Sequence, residues 1–148
     1  MMTAGVFVML TALLGSTPGL GASSLGVLPE PSVFIGCGCA FTRLPSLNDL
    51  SAVVFSSEYE GSARVVVGGK VTELAAIRPD SACWPSRVGG RCRLKYRNTE
   101  ATVLIDGRAT WVCPDDEESC EVVRLVGKMT LHLGNHREVI EVHGDCGC

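Results

Sequence analysis

The sequence predicts an all-β protein, an antiparallel meander of roughly 8–10 short strands that forms a small barrel or sandwich and is stapled by disulfides. Short runs rich in Val and Thr recur along the chain after Pro31, and Gly, Asp and Pro separate them. None of these runs has the 3.6-residue period of a helix. Eight cysteines, an even number in a short chain, all follow an apolar N-terminal segment, which is typical of an exported domain held by disulfides.

Residues 1–24 are expected to form a signal peptide, followed by a short linker at 25–31 and a single β-domain at 32–148. The apolar run at 6–14 suits a signal core, since a membrane span needs about 20 apolar residues. Ala22, Ser23 and Ser24 are small enough for cleavage after any of the three. The alternative is a buried hydrophobic helix, and the absence of Lys or Arg before the run counts against a signal. We expect a secreted or periplasmic protein that does not span a membrane.

The candidate strands follow from alternating or apolar runs bounded by turn residues. Gly68-Gly69 and Asp106-Gly107 are predicted to be two-residue hairpin turns, and residues 42–50 to be a loop or one helical turn. The strands are predicted at 32–36, 52–57, 63–67, 70–77, 91–97, 101–105, 108–113, 120–126, 128–133 and 138–143.

A partial internal repeat, Val-x-x-x-Gly-[Lys/Arg]-x-Thr, predicts three related hairpins. It begins at Val65, Val103 and Val123. If each Gly is the second residue of a two-residue turn, the Val and Thr of each copy face each other. In the first copy this register also places Arg64 opposite Glu73, a favourable cross-strand pair.

The cysteine spacing predicts which cysteines pair. Two pairs each flank a turn-rich loop, and such short loops give about 2.5–3 kcal/mol each in the chain-entropy model. The remaining four form two Cys-Gly-Cys segments, whose members are too far apart on a strand to bridge each other. We expect the two segments to bridge to each other, tying the first strand to the last, in an order the spacing leaves open. The pairs are Cys83 with Cys92, Cys113 with Cys120, and Cys37 and Cys39 with Cys146 and Cys148.

Composition and motifs argue against several functions. A net charge of -3 and a pI near 5.6 do not suit a dedicated nucleic-acid binder. No nucleophile elbow or zinc-protease motif is present, and the histidines, His132, His136 and His143, are expected at surfaces or turns. The acidic run at 115–118 lacks the glycines of a calcium loop and is expected to be solvated. We therefore predict a protein that is not an enzyme and needs no cofactor.

The sharpest candidate site is a basic strip formed by Arg91, Arg93, Lys95 and Arg97, with Arg87 adding a fifth charge nearby. On a strand, this spacing places four cations on one face and Cys92, Leu94 and Tyr96 on the other. Such a strip suits docking to an anionic surface or an acidic protein. The simpler interpretation is a solvated strand face balanced by the acidic run at 115–118.

The functional hypotheses follow in order. The first is a non-catalytic binding module that uses the basic strip to bind a protein partner or an anionic envelope component. The alternative is a protein that binds or delivers a metal, because four thiolates from two Cys-Gly-Cys segments can hold Zn²⁺ or Cu(I). A hydrolase that uses acids and the C-terminal histidines ranks last, since no group of residues with a shared role can be named.

Overall fold

The computed structural model describes residues 23–44, 52–59, 61–78 and 83–148. These residues form strands and a short 3-10 turn at Glu30–Ser32. Most of the expected signal segment, residues 1–22, lies outside the described residues, as do residues 45–50 of the loop expected at 42–50. Thr42 and Arg43, the first residues of that expected loop, instead belong to a strand. The strands are β1 (Leu25–Gly26), β2 (Gly38–Arg43), β3 (Val53–Glu58), β4 (Ser62–Val67), β5 (Lys70–Ala76), β6 (Arg91–Arg97), β7 (Ala101–Val112), β8 (Val122–Leu133) and β9 (His136–Gly147).

Strands β2 to β9 form a closed antiparallel barrel. Each strand pairs with the next along the chain, and β9 returns to pair with β2. The predicted antiparallel meander is confirmed. Of the two predicted architectures, barrel or sandwich, the structure is the barrel. The β2–β9 contact is called the seam below, and the end of the barrel at which β2 begins and β9 ends is called the disulfide end.

Side chains fill the barrel interior, as expected for eight strands. Phe55 is fully buried between Phe41 and Tyr96, and its ring centroid lies 5.9 Å from that of Phe41 and 5.4 Å from that of Tyr96. Both pairs meet edge to face, the favoured geometry for aromatic rings. The aliphatic part of the core comes from alternate positions of the other strands, including Val65, Leu74, Val103, Ile105, Leu125, Met129, Leu131 and Val142.

The first predicted hairpin is confirmed. Gly68 and Gly69 turn the chain with φ of 56° and 81°, a backbone that glycine adopts without steric cost. Val65 then pairs with Thr72, and Arg64 pairs with Glu73. The Arg64 Nε lies 3.7 Å from a Glu73 carboxylate oxygen, so the predicted cross-strand ion pair forms.

The second and third predicted hairpins are wrong. Asp106-Gly107 and Gly127 lie in the middle of β7 and β8, which are single strands of 12 residues each. Gly107 and Gly127 pair with each other, and a Cβ on Gly127 would stand 2.6 Å from the Gly107 Cα. These glycines permit close approach between strands, which is the other reason glycine occurs within a sheet.

The N-terminal segment is a strap on the outer face of the barrel. The predicted strand at 32–36 does not form, and the expected linker at 25–31 contains β1, which pairs with β4. Leu28 is buried against Val53 and Val66 on the outside of the barrel. The Phe34 N–H donates to the Ser56 hydroxyl at 3.0 Å, and Pro29 and Pro31 suit a strap because they cannot donate to a strand ladder.

Glu138 anchors the strap at the end of the barrel opposite the disulfide end. Its carboxylate accepts hydrogen bonds from the Ser23 hydroxyl and from the N–H groups of Ser24, at 2.8 Å, and Leu25, at 3.3 Å. Burial disfavours the charge, but these bonds outweigh it and hold the pKa of Glu138 below its ordinary value. The carboxylate is therefore the form that the fold prefers.

The stabilisation by Glu138 is expected to depend on pH. A lowered pKa in the folded state means that the stabilisation is present above the unfolded-state pKa and is lost as the pH falls through the folded-state pKa. Glu138→Gln should lower the free energy of unfolding by about 1–3 kcal/mol near neutral pH and by less in acid. Urea unfolding of both proteins across this range measures the difference, and equal losses at neutral and acid pH would contradict the prediction.

Candidate functional site

The structure places the basic strip on the outer face of β6 as predicted. Arg91, Arg93 and Arg97 are exposed and Lys95 is half-buried, while Cys92, Leu94 and Tyr96 alternate with them in the interior. Arg87 is exposed on the loop that precedes β6. The period of two residues therefore holds along the whole strand.

Part of the charge on the basic strip is balanced from the neighbouring strand. The Asp106 carboxylate on β7 lies 3.5 Å from a guanidinium nitrogen of Arg91 and 3.3 Å from one of Arg93. All three side chains are well exposed, so solvent screens these pairs. Asp106 therefore offsets part of the charge that Arg91 and Arg93 contribute to the strip.

A cleft of about 420 Å³ opens at the disulfide end of the barrel. It exists because β5 and β6 pair only at their last residues, Ala75 with Arg97 and Ala76 with Tyr96. On the edge of β6 that faces β5, the first half of the strand, including Arg91 and Leu94, therefore borders the cleft. Cys83, Trp84 and Pro85, in the loop before β6, also line the cleft.

Two exposed aromatic rings form the rim of the cleft. Tyr59 directly follows β3, and Trp84 follows Cys83 in the loop before β6. Their ring centroids lie 6.4 Å apart, edge to face. Tyr59 is 64% exposed and Trp84 is 55% exposed. Large aromatic groups held together at a surface are typical of binding sites, because they offer much contact area with few rotatable bonds.

Two buried polar side chains, Tyr96 and Ser57, line the cleft and are hydrogen-bonded to each other. Tyr96 is almost fully buried, and burial raises the pKa of its hydroxyl despite the hydrogen bond to Ser57 and the nearby Arg78 charge. The hydroxyl is therefore neutral near pH 7. The Tyr96 hydroxyl therefore offers a hydrogen-bond donor and acceptor beside the apolar Leu94 in the cleft lining.

Charge is distributed unevenly around the aromatic rim. Among the described residues, Arg78, Arg91 and the carboxylate of Glu58 line the cleft. A neighbouring hollow shares Tyr59 and Trp84 but is bordered by Asp115 and Glu121. The cleft side of the rim is thus the more cationic, and the side toward the 113–120 loop is the more acidic.

The four predicted disulfides are all present, and two of them close the seam. Cys39 pairs with Cys146 in the β2–β9 register, and Gly38 pairs with Gly147. A Cβ on Gly38 would stand 1.8 Å from the Ser57 carbonyl oxygen, so the central glycine admits a closely packed neighbouring strand. The bridges are Cys37–Cys148, Cys39–Cys146, Cys83–Cys92 and Cys113–Cys120.

Two of these disulfides touch each other at the cleft. The Cys146 Sγ lies 3.6 Å from the Cys83 Sγ. The sulfurs of Cys39, Cys83 and Cys146 all lie within 4.8 Å of one another. In the described part of the chain, these three cysteines are the potential metal ligands that lie close enough together to share one ion. This set of potential metal ligands differs from the predicted set of four Cys-Gly-Cys cysteines, because it includes Cys83 and does not include Cys37 or Cys148.

The histidines do not line the cleft. His136 is hydrogen-bonded through Nε2 to the Ser24 hydroxyl at 3.0 Å, near the Glu138 anchor. His143 bonds the Thr42 hydroxyl across the seam at 2.5 Å, and His132 is exposed on β8. Two of the three therefore have structural partners outside the cleft.

Comparisons of the chain with protein-family models, with curated proteins and with solved structures find no match. Among the described residues, no helix has the length and apolarity needed to cross a membrane. Four disulfides are consistent with an oxidising compartment.

The cleft is the feature that sequence analysis missed. Tyr59 is distant in sequence from Trp84 and Tyr96, and no sequence pattern links the three residues. The available signal was local: Trp84 next to Cys83 is a large aromatic in a short disulfide-closed loop, where a core position is not expected.

Proposed function

We propose that the protein is a non-catalytic binding module whose ligand is an amphipathic organic anion held in the cleft. The observation that carries this proposal is the position of Arg91, which is both the first cation of the basic strip and part of the cleft lining. An apolar body would contact the Tyr59 and Trp84 rings, and the anionic group would meet Arg91. The basic strip beyond Arg91 would attract the ligand from solution.

The size and rigidity of the cleft support this proposal. A volume of about 420 Å³ lies within the range of small-molecule sites, roughly 300–1,000 Å³. The Cys39–Cys146 and Cys83–Cys92 bridges hold two of its walls. Walls that are fixed before binding lose little conformational entropy when a ligand enters.

We also propose that the protein is not an enzyme. All eight cysteines are in disulfides, so none offers a thiolate nucleophile. No histidine lines the cleft within the described part of the chain, so the most common general base is missing from it. Glu58 is the carboxylate residue among the described residues that line the cleft, and it is exposed.

The test measures binding of decanoate and of decanol, which differ in charge and share an aliphatic body. Trp84 and Trp111 are the two tryptophans, so Trp111→Phe leaves Trp84 as the sole fluorescent reporter in the cleft. In this background we expect decanoate to bind at least about tenfold more tightly than decanol, because a hydrogen bond to a charged group contributes about 1.5–3 kcal/mol and about 1.4 kcal/mol is a factor of ten. Arg91→Gln should remove most of this preference.

Arg97→Gln is the matched control, because Arg97 lies on the same face of β6 but does not line the cleft. It should leave the decanoate affinity nearly unchanged. If Arg91→Gln and Arg97→Gln lower the affinity for decanoate or for anionic vesicles equally, the ligand binds along the whole basic strip and not in the cleft. Failure of both ligands to change Trp84 fluorescence or to give heat in titration calorimetry would refute the cleft as a site for amphipathic anions.

Export to the cell exterior or the periplasm is part of the proposed function. Disulfides persist in these compartments, and the predicted signal segment precedes them. Of the three expected cleavage positions, we propose the one after Ala22, because Ser23 and Ser24 both bond Glu138. The intact mass of the mature protein identifies the first residue, and a mature chain that starts at any residue other than Ser23 would contradict this choice.

Metal binding is the second candidate function, favoured by the cluster of Cys39, Cys83 and Cys146. Thiolates are the ligands that Zn²⁺ and Cu(I) require, so this function needs the bridges to be reduced. A free-thiol count with a metal assay on protein purified with and without oxygen separates the candidates. Bound metal with free thiols supports this function, whereas no thiols and no metal support the binding module.

A further inference from the structure

We propose that the Cys39–Cys146 and Cys83–Cys92 disulfides form an exchange pair, so that reduction of one by an external dithiol is passed to the other. The proposal does not depend on the ligand of the cleft. It rests on the position of four sulfurs that come from β2, β6, β9 and the loop before β6.

The first observation is contact between the two bridges. The Cys146 Sγ and the Cys83 Sγ lie 3.6 Å apart, and no backbone movement is needed for them to meet. Thiol–disulfide exchange requires a thiolate to reach a disulfide sulfur. A thiolate released at Cys146 would therefore already contact its target.

The second observation is that each bridge has one accessible and one buried sulfur residue. Cys39 and Cys83 are partly exposed and line the cleft, whereas Cys92 and Cys146 are 0% and 1% exposed. Cys146 also lines the cleft but is almost fully buried, so an external thiol reaches the more exposed Cys39 first. Attack at Cys39 therefore releases the buried sulfur that touches the second bridge.

The reaction proceeds in three balanced steps. A thiolate of the external dithiol attacks the Cys39 Sγ, forms a mixed disulfide and releases the Cys146 thiolate. That thiolate attacks the Cys83 Sγ, forms a Cys83–Cys146 bridge and releases Cys92, which takes up a proton. The second sulfur of the dithiol then attacks its partner in the mixed disulfide and releases Cys39 as a thiol. The dithiol is oxidised by two electrons, and the protein keeps one bridge of the pair and gains two thiols.

The new Cys83–Cys146 bridge would link the loop before β6 directly to the seam. Cys83 precedes Trp84, and Cys146 lies at the end of β9. The Cys37–Cys148 bridge is not consumed, so the barrel stays closed by a disulfide. Exchange would thus change the cleft wall without opening the barrel.

The test is limited reduction of the wild-type protein by dithiothreitol in native buffer. Aliquots are quenched in acid, alkylated and mapped as peptides without further reduction. Among molecules with two alkylated cysteines in the four-sulfur cluster, we expect alkylation of Cys39 and Cys92 and a Cys83–Cys146 cross-link in more than half. Alkylation of a native pair, Cys39 with Cys146 or Cys83 with Cys92, without the cross-link would overturn the proposal.

Two variants separate exchange in the fold from random reshuffling. Cys113→Ala with Cys120→Ala removes a bridge outside the cluster and should leave the cross-link yield unchanged. Cys83→Ala with Cys92→Ala removes the acceptor, so reduction should stop at alkylated Cys39 and Cys146. Wild-type protein in denaturant is the control for scrambling, and an equal yield of the cross-link there would contradict a route that depends on the native contact.

Discussion

Removal of both seam disulfides is expected to lower the free energy of unfolding by about 4–5 kcal/mol in the chain-entropy model. These bridges close loops of 107 and 111 residues, and the cost of closing a loop in the unfolded chain grows with its length. Either bridge alone closes nearly the same loop. Loss of only the exposed Cys37–Cys148 bridge should therefore cost much less than loss of both.

The measurement is urea unfolding of the wild type and three alanine variants. The variants lack Cys37 and Cys148, all four seam cysteines, or Cys113 and Cys120 as a short-loop control expected to cost about 2.5 kcal/mol. A fourfold variant that is unfolded without urea agrees with the prediction, since whole domains have only about 5–15 kcal/mol. A fourfold variant no less stable than the short-loop control would refute the seam as the main covalent closure.

Phe55→Ala is expected to lower the free energy of unfolding by about 3–5 kcal/mol, the usual cost of removing a buried ring. Phe55 is 0% exposed and contacts both Phe41 and Tyr96 edge to face. The lost edge contacts add about 0.5–1.5 kcal/mol each to the burial term. The Tyr96 hydroxyl belongs to the cleft floor, so we also expect the cleft to lose rigidity.

Phe55→Leu and Val139→Ala are the comparisons for this variant. Leucine keeps most of the apolar volume and should cost less than alanine. Val139 is 40% exposed on β9, and its replacement should change stability by about 0.5 kcal/mol or less. If Phe55→Ala costs no more than Val139→Ala by thermal or urea unfolding, the aromatic cluster is not the centre of the core.

Features that depend on neighbouring residues were predictable from the sequence. The alternation of Arg91 to Arg97 on β6 and the Gly68-Gly69 hairpin follow from strand periodicity and turn chemistry, which act over a few residues. The pairing of Cys83 with Cys92 follows from the short loop between them. The bridging of the two Cys-Gly-Cys segments was also predictable from the sequence, because the two cysteines within each segment cannot form a disulfide with each other on a strand.

Other features failed because a local signal had two meanings. Asp106-Gly107 has the composition of a hairpin turn, but Gly107 sits opposite Gly127 where two long strands approach closely. The apolar residues from 32 to 36 suggested a strand, but Phe34 belongs to a strap whose contacts with Ser56 and Arg64 come from β3 and β4. Nothing in either segment alone distinguishes these outcomes.

The sequence by itself determined the strand composition, the disulfide framework and the outward basic face of β6, because each depends on spacing along the chain. Only the tertiary structure decided that the sheet closes at β2 and β9, and that the short pairing of β5 with β6 leaves a cleft. It also brought Tyr59, Trp84 and Arg91 to one rim and the Cys83 and Cys146 sulfurs into contact. The physical reason is that strand stagger and closure depend on contacts between residues far apart in sequence, which no local pattern contains.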